Sequence, residues 1–231
     1  MQYPRLRDSK KRTGKDHYSL GEIPNSVIKD IGKWVAYSFA VGKSDINGED
    51  WGDIFANAIE GEHLNSPLGL ADVVKDGMAW SVKSVKQNKP FECGRVRIIS
   101  GRCSPDYSYG INDPHVDIEA TGRAVLGIWN ERVNIAKDHY EPLRSSILIR
   151  NPNSLEFCVY EHEIHRFNTK DYRWEVNKNG NFNGYRISGD KHIFTWQPHG
   201  SQFTIIYYVP TSSIKFKVKR PPILDFEKTF P

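Results

Sequence analysis

The chain has 231 residues, of which 38% are apolar, 12% aromatic and 26% charged, with a formal net charge of +4. That balance supplies a packed core and argues against disorder, while the modest positive charge permits a polyanion partner without requiring one. Three scattered cysteines, Cys93, Cys103 and Cys158, with no C-x-x-C pair, exclude a disulfide framework or a zinc ribbon and point to a reducing compartment.

From the start, Met1 to Asp16 is polar and basic, with no apolar stretch of a secretory signal, and no later run reaches membrane-spanning length. A cytoplasmic protein is expected. Residues 1–20 form a basic arm (Arg5, Arg7, Lys10, Lys11, Arg12 and Lys15), which reads equally as a solvated tail or as a segment lying on DNA phosphates. Asn25-Ser26 is a candidate cap for a helix carrying Val27, Ile28, Ile31, Trp34 and Val35 at three-and-four spacing, ending near Gly42. A second helix is expected from about Glu49 to Glu60. Its polar stripe holds Asp53, Asn57 and Glu60, and Gly61 is its expected terminator.

Two strands follow, about 69–75 and 78–86, joined by a Lys-Asp-Gly turn, and a third spans Cys93 to Ser100. After a loop from Gly101 to Asp113, the pattern is helical from Pro114 to His139, with Asp113, His115 and Asp117 as helix-start chemistry. Ser146 to Ile149 reads as a buried strand. Beyond Asn151-Pro-Asn153 the chain turns to short β-runs at 154–167, 171–177, 190–197, 202–209 and 213–219. The fold class expected is α/β: a mixed central sheet flanked by helices over 21–150, with a β-rich extension of the same domain over 151–231.

Residues two apart on a strand share a face, so Ser81 and Lys83 project together while Trp80 and Val82 turn to the core. Asp72, nine residues before Ser81, folds back beside it across the turn. As a bare hairpin this is also what a surface ion pair looks like. The order of the surrounding elements carries more. Trp51 to Glu60 on a helix, then Gly69-Leu-Ala-Asp72, then Trp80-Ser-Val-Lys83, then strand, helix and strand, resembles the PD-(D/E)xK nuclease core of many type II restriction endonucleases. The resemblance covers about residues 49–150.

It implies Asp72 as a metal-binding carboxylate, Lys83 as the amine that positions water, Glu60 as the acid from the helix, and the Val82 carbonyl as a further ligand to Mg²⁺. Two positions depart from the motif. Ala71 stands where its proline is named, and Ser81 where its second acid belongs, leaving Glu60, Glu62 and Glu92, in that order, as candidate replacements. The activity implied is Mg²⁺-dependent cleavage of double-stranded DNA at a short sequence to 5′-phosphate ends, by a homodimer working beside a cognate DNA methyltransferase. A repair nuclease of the same core, or a non-catalytic module binding nucleic acid or carbohydrate, is the alternative.

Base readout needs donors and acceptors in a groove. The candidates are Gln197, His199, Ser201 and Gln202 in one loop, Arg102 and Tyr107 in another, and Arg150 with Asn151. Glu161-His162-Glu163-Ile-His165 has the wrong spacing and β-like flanks for a zinc-protease helix, and reads as the polar face of a sheet.

Overall fold

The structure, a computed structural model, describes residues 12–13, 17–68, 70–225 and 228. In chain order the elements are β1 (Arg12–Thr13), α1 (Asn25–Ala40), α2 (Gly48–Ile59), β2 (Glu62–Leu68), β3 (Ala71–Lys75), β4 (Met78–Lys86) and β5 (Arg95–Arg102). Then come α3 (Pro105–Tyr109), α4 (Ile118–His139), β6 (Tyr140–Glu141), β7 (Leu143–Asn151) and β8 (Glu156–Glu163). The chain continues with β9 (Tyr172–Val176), β10 (Phe182–Arg186), β11 (Lys191–Gln197), β12 (Gln202–Tyr208) and β13 (Ile214–Lys217). Most of the expected arm lies outside the described residues; within it Arg12–Thr13 pairs in parallel with Tyr140–Glu141.

The class is α/β, with a mixed six-stranded sheet in the order β13-β8-β7-β4-β3-β2 and a separate five-stranded sheet in the order β5-β12-β11-β10-β9. These belong to two compact units. The first comprises residues 1–93, 136–164 and 210–231, the second 94–135 and 165–209. Each unit gathers separated stretches of chain, so the units do not divide at residue 150. β8 and β13 complete the first unit's sheet, and β5 leaves the core to pair with β12, a strand about a hundred residues downstream.

In the first unit, β2, β3 and β4 run as an antiparallel meander, and β7 lies parallel to β4. A parallel neighbour needs a long crossover, and the excursion between β4 and β7 supplies it. The β3–β4 turn is tight because Asp76 and Gly77 both take positive φ (46° and 86°), which suits the right-handed twist of a hairpin. α2 starts on a reciprocal capping box between Asn47 and Asp50. α1 begins instead at Pro24 with no side-chain cap, so the expected Asn25-Ser26 cap is not used. Ile31, Val35 and Phe39 of α1 and Trp51, Ile54, Phe55 and Ala58 of α2 are buried with Val73, Met78, Trp80 and Val82 of the sheet. The Phe55 ring meets Trp80 edge-on at 5.7 Å.

The second unit packs an aromatic layer on one face of its sheet. Phe194 lies 5.5 Å from Phe203, and Trp129 of α4 lies 5.9 Å from Phe203. Gly122 admits the Trp174 ring against the helix, where any Cβ would overlap it. β10 escapes the period-two reading because Gly184 stands at the inward position where an apolar side chain would mark the alternation.

In the first unit Glu161, read from the sequence as part of a sheet's polar face, is buried. It accepts from Trp80 Nε1 at 2.7 Å and Tyr18 Oη at 2.9 Å, with Arg144 at 3.4 Å. Burial pushes its carboxyl above the usual range, against the pull of Tyr18 and Arg144.

Candidate active site

The hairpin places the motif residues as its periodicity requires. Val73 faces Trp80 across the β3–β4 ladder, which sets Asp72 beside Ser81 on the other face. Asp72 Oδ2 accepts three hydrogen bonds: from the Val82 amide at 2.9 Å, from Ser81 Oγ at 3.1 Å, and from Lys83 Nζ at 2.9 Å. Lys83 also donates to the Val82 carbonyl at 3.0 Å. The ion pair is largely sheltered, with side-chain exposures of 27% for Lys83 and 18% for Asp72.

An irregularity in β2 leaves an opening beside this spot. His63 pairs with Val73 and Leu68 with Ala71, so five residue steps on β2 oppose two on β3. The extra length carries β2 away from the ladder opposite Asp72, as a bulge does. The result is a half-open cavity of about 520 Å³, lined by Glu49 and Asp53 of α2, His63 and Asn65 of β2, and Asp72, Val82 and Lys83.

Glu60 is not in this cavity. It occupies the C-cap of α2 in the left-handed conformation (φ 56°), a role expected of Gly61, and its exposed carboxylate lies 3.8 Å from Lys75 Nζ. The cause is chain direction. Glu62 pairs with Val74, so β2 enters the sheet near the hairpin turn, and the C-terminus of α2 sits at that end. The N-terminal half of α2 reaches the Asp72 end instead, which brings Glu49 and Asp53, one helical turn apart, to the cavity. The polar stripe on α2 was visible in the sequence; which end of it met Asp72 was not.

The other nominated acids also lie elsewhere. Glu62 is exposed opposite Val74, and Glu92 pairs with Lys89 at 2.9 Å beside a different cavity. His63, which the sequence did not single out, is held by Asp53 (Nδ1 to Oδ1 2.7 Å) over Gly52, where a Cβ would overlap its ring.

Arg150 and Asn151, nominated for DNA contacts, both make hydrogen bonds within the first unit. Arg150 is buried and forks onto Asp45 at 2.7 and 3.1 Å. Burial alone would raise the Asp45 carboxyl, but the Arg150 hydrogen bonds and the Ile46 amide lower it below its ordinary value. Asn151 donates to the Asn88 carbonyl and caps the turn at Asn153 and Ser154.

In the second unit, Gln197 pairs with Gln202 and Gln202 with Arg102, so three candidates from two loops fall in one cross-strand row. His199 is exposed at the tip of the same hairpin, and the Ser201 carbonyl accepts from the Cys103 amide at 2.7 Å. Tyr107, on α3, is 92% exposed.

No family model, curated protein or solved structure matches this chain. Among the described residues, no group of three or more His, Cys, Asp and Glu side chains is placed to hold a metal ion by itself. A hard cation such as Mg²⁺ asks for less: one or two carboxylates, with waters completing an octahedron. The Asp72 carboxylate and the Val82 carbonyl are hard oxygen donors, and Glu49 lines the same cavity. That donor set fits Mg²⁺.

Proposed function

We propose that this chain is a Mg²⁺-dependent endonuclease that hydrolyses double-stranded DNA, of the type II restriction class. The observation that carries the reading is the Lys83 ammonium, 2.9 Å from Asp72 and 3.0 Å from the Val82 carbonyl, in a cavity that also admits Glu49. The setting supports it further. A helix, a three-stranded meander, a crossover containing a long helix and a strand parallel to the third follow one another in the order of the PD-(D/E)xK core.

In this reading Asp72, the Val82 carbonyl and one helical acid would hold the ion; Glu60 lies outside the cavity and Asp53 is engaged by His63, which leaves Glu49 for the helical role. Bound Mg²⁺ would neutralise phosphate charge and acidify a coordinated water. Lys83 orients the attacking water and stabilises the negative charge that builds on the phosphoryl oxygens. The water oxygen bonds to phosphorus, releasing its proton to solvent, as the bond to the 3′-oxygen breaks and that oxygen takes a proton from a second water, leaving a 3′-hydroxyl and a 5′-phosphate. Ser81, in place of an acid, donates to Asp72 and so fixes the carboxylate's orientation.

A palindromic target would match a two-fold dimer, each active site meeting one strand, and a methyltransferase of the same specificity would protect the host's DNA in the cytoplasm. Incubation of phage DNA with the protein, with Mg²⁺ and with EDTA, tests the reading. Discrete fragments that require Mg²⁺ are expected. Intact DNA across several phage genomes overturns the nuclease, and a continuous smear overturns the restriction class.

A further inference from the structure

The second unit's sheet has one face against its aromatic core; the opposite face carries an organised set of cations. On β5, Val96, Ile98 and Ser100 are buried, while Arg95, Arg97 and Ile99 between them are exposed. Arg95 pairs with Tyr208 and Arg97 with Ile206 on β12. From β11, Lys191 extends over the exposed Tyr208 ring, its Nζ 3.4 Å from the centroid, and so joins the arginine row. The field of the two arginines reaches His192. Burial, together with Arg97 and Arg95, holds that imidazole below its ordinary range despite its hydrogen bond to the Phe194 carbonyl. Arg173, also on this face, is neutralised by Glu175 and Asp190.

The same face continues to the amide row. Thr204 pairs with Thr195, and two residues along, Gln202 pairs with Gln197 and with Arg102. From Arg95 to Arg102 the strand spans roughly 23 Å at ~3.3 Å per residue, a length of about seven base steps of B-DNA at ~3.4 Å each.

We infer that this face is the DNA-binding surface, with Arg95, Arg97 and Lys191 against backbone phosphates and the Arg102–Gln202–Gln197 row against base edges. The partition follows the chemistry. Exposed cations neutralise phosphates without reading sequence, whereas glutamine and arginine offer the paired donors and acceptors that distinguish adenine and guanine. The inference rests on the DNA reading above but not on cleavage.

The test is fluorescence anisotropy with a labelled duplex in Ca²⁺, as a function of salt. Each phosphate contact contributes about 0.9 to the slope of log affinity against log salt. The triple variant Arg95→Gln/Arg97→Gln/Lys191→Gln is expected to lose nearly three from that slope. Selection from a randomised duplex pool should yield a motif with the natural chain. With Gln202→Ala, discrimination at one position should fall about ten- to a hundredfold, at an unaltered salt slope. A thermal melt of each variant confirms folding before binding is read. Cleavage by the natural chain with an unchanged slope in a folded triple variant overturns the surface and leaves the nuclease standing. Binding that follows the expected slopes without cleavage in Mg²⁺ does the reverse. Neither binding nor cleavage overturns both.

Discussion

Replacing Lys83 by methionine separates a catalytic amine from a sheet-edge ion pair, because the two roles predict opposite balances of stability and rate. The ammonium makes two hydrogen bonds, to Asp72 Oδ2 at 2.9 Å and the Val82 carbonyl at 3.0 Å. A hydrogen bond to a charged group contributes about 1.5–3 kcal/mol, and the partial exposure of Lys83 (27%) and Asp72 (18%) brings the loss to about 1–2 kcal/mol. Asp72 keeps its bonds from Ser81 and the Val82 amide, so its orientation survives. For a chain of this size, 1 kcal/mol corresponds to roughly 2–4 °C in Tm, so a fall of about 2–8 °C is expected by calorimetry. Single-turnover cleavage of plasmid DNA in Mg²⁺ should fall by a factor of about 10²–10³ or more, the scale for losing one charge-stabilising donor. Duplex affinity in Ca²⁺ should stay near that of the natural chain. A cleavage rate within tenfold of the natural one refutes the assignment. So does a melting loss beyond about 15 °C, which would mark Lys83 as structural.

Gly52→Ala places a Cβ into the His63 ring. A helix-interior alanine usually stabilises by about 0.5–1 kcal/mol, so a measured loss of about 1–3 kcal/mol in urea unfolding would show that the α2–β2 contact depends on that glycine. Arg150→Ala breaks the fork to Asp45 and should cost about 1–3 kcal/mol while leaving DNA affinity and its salt slope unchanged; a shallower slope would restore Arg150 as a phosphate contact. Because Asp45 has a depressed carboxyl in the folded state, its share of stability is present above the unfolded pKa and is lost as pH falls through the lower, folded one. The Arg150→Ala penalty should therefore shrink below about pH 4. Glu161 has the opposite sign. Its folded carboxyl is raised by burial, so its contribution is complete below the ordinary carboxylate pKa and declines as pH rises through the raised one. The natural chain should therefore lose stability relative to Glu161→Gln as pH rises above about 4; a gain instead would show the carboxylate to be the favoured buried form.

What could be read from the sequence follows the range of the forces involved. The β3–β4 hairpin, with Asp72, Ser81 and Lys83 on one face, was legible because strand alternation and the Asp-Gly turn are local properties of about fifteen residues. The two first helices were legible through their apolar spacing. Glu60 was misplaced because helical periodicity gives the angle of a side chain about the axis but not which end of the helix meets the sheet. That end was fixed by the Glu62–Val74 register, and the bulge that opens the cavity leaves no signature in a Leu-Asn-Ser-Pro-Leu run.

Composition and periodicity alone determined a packed α/β chain with an acid and an amine poised on adjacent strands. Only the tertiary structure decided that β5 pairs with β12, that Glu49 and Asp53 rather than Glu60 share the cavity, and that Arg150 is buried on Asp45. The physical reason is the same in each case. Ladder partners and ion pairs are chosen between segments as many as a hundred residues apart, by which arrangement buries the apolar faces and satisfies the polar groups together, and no window of neighbouring residues contains that choice.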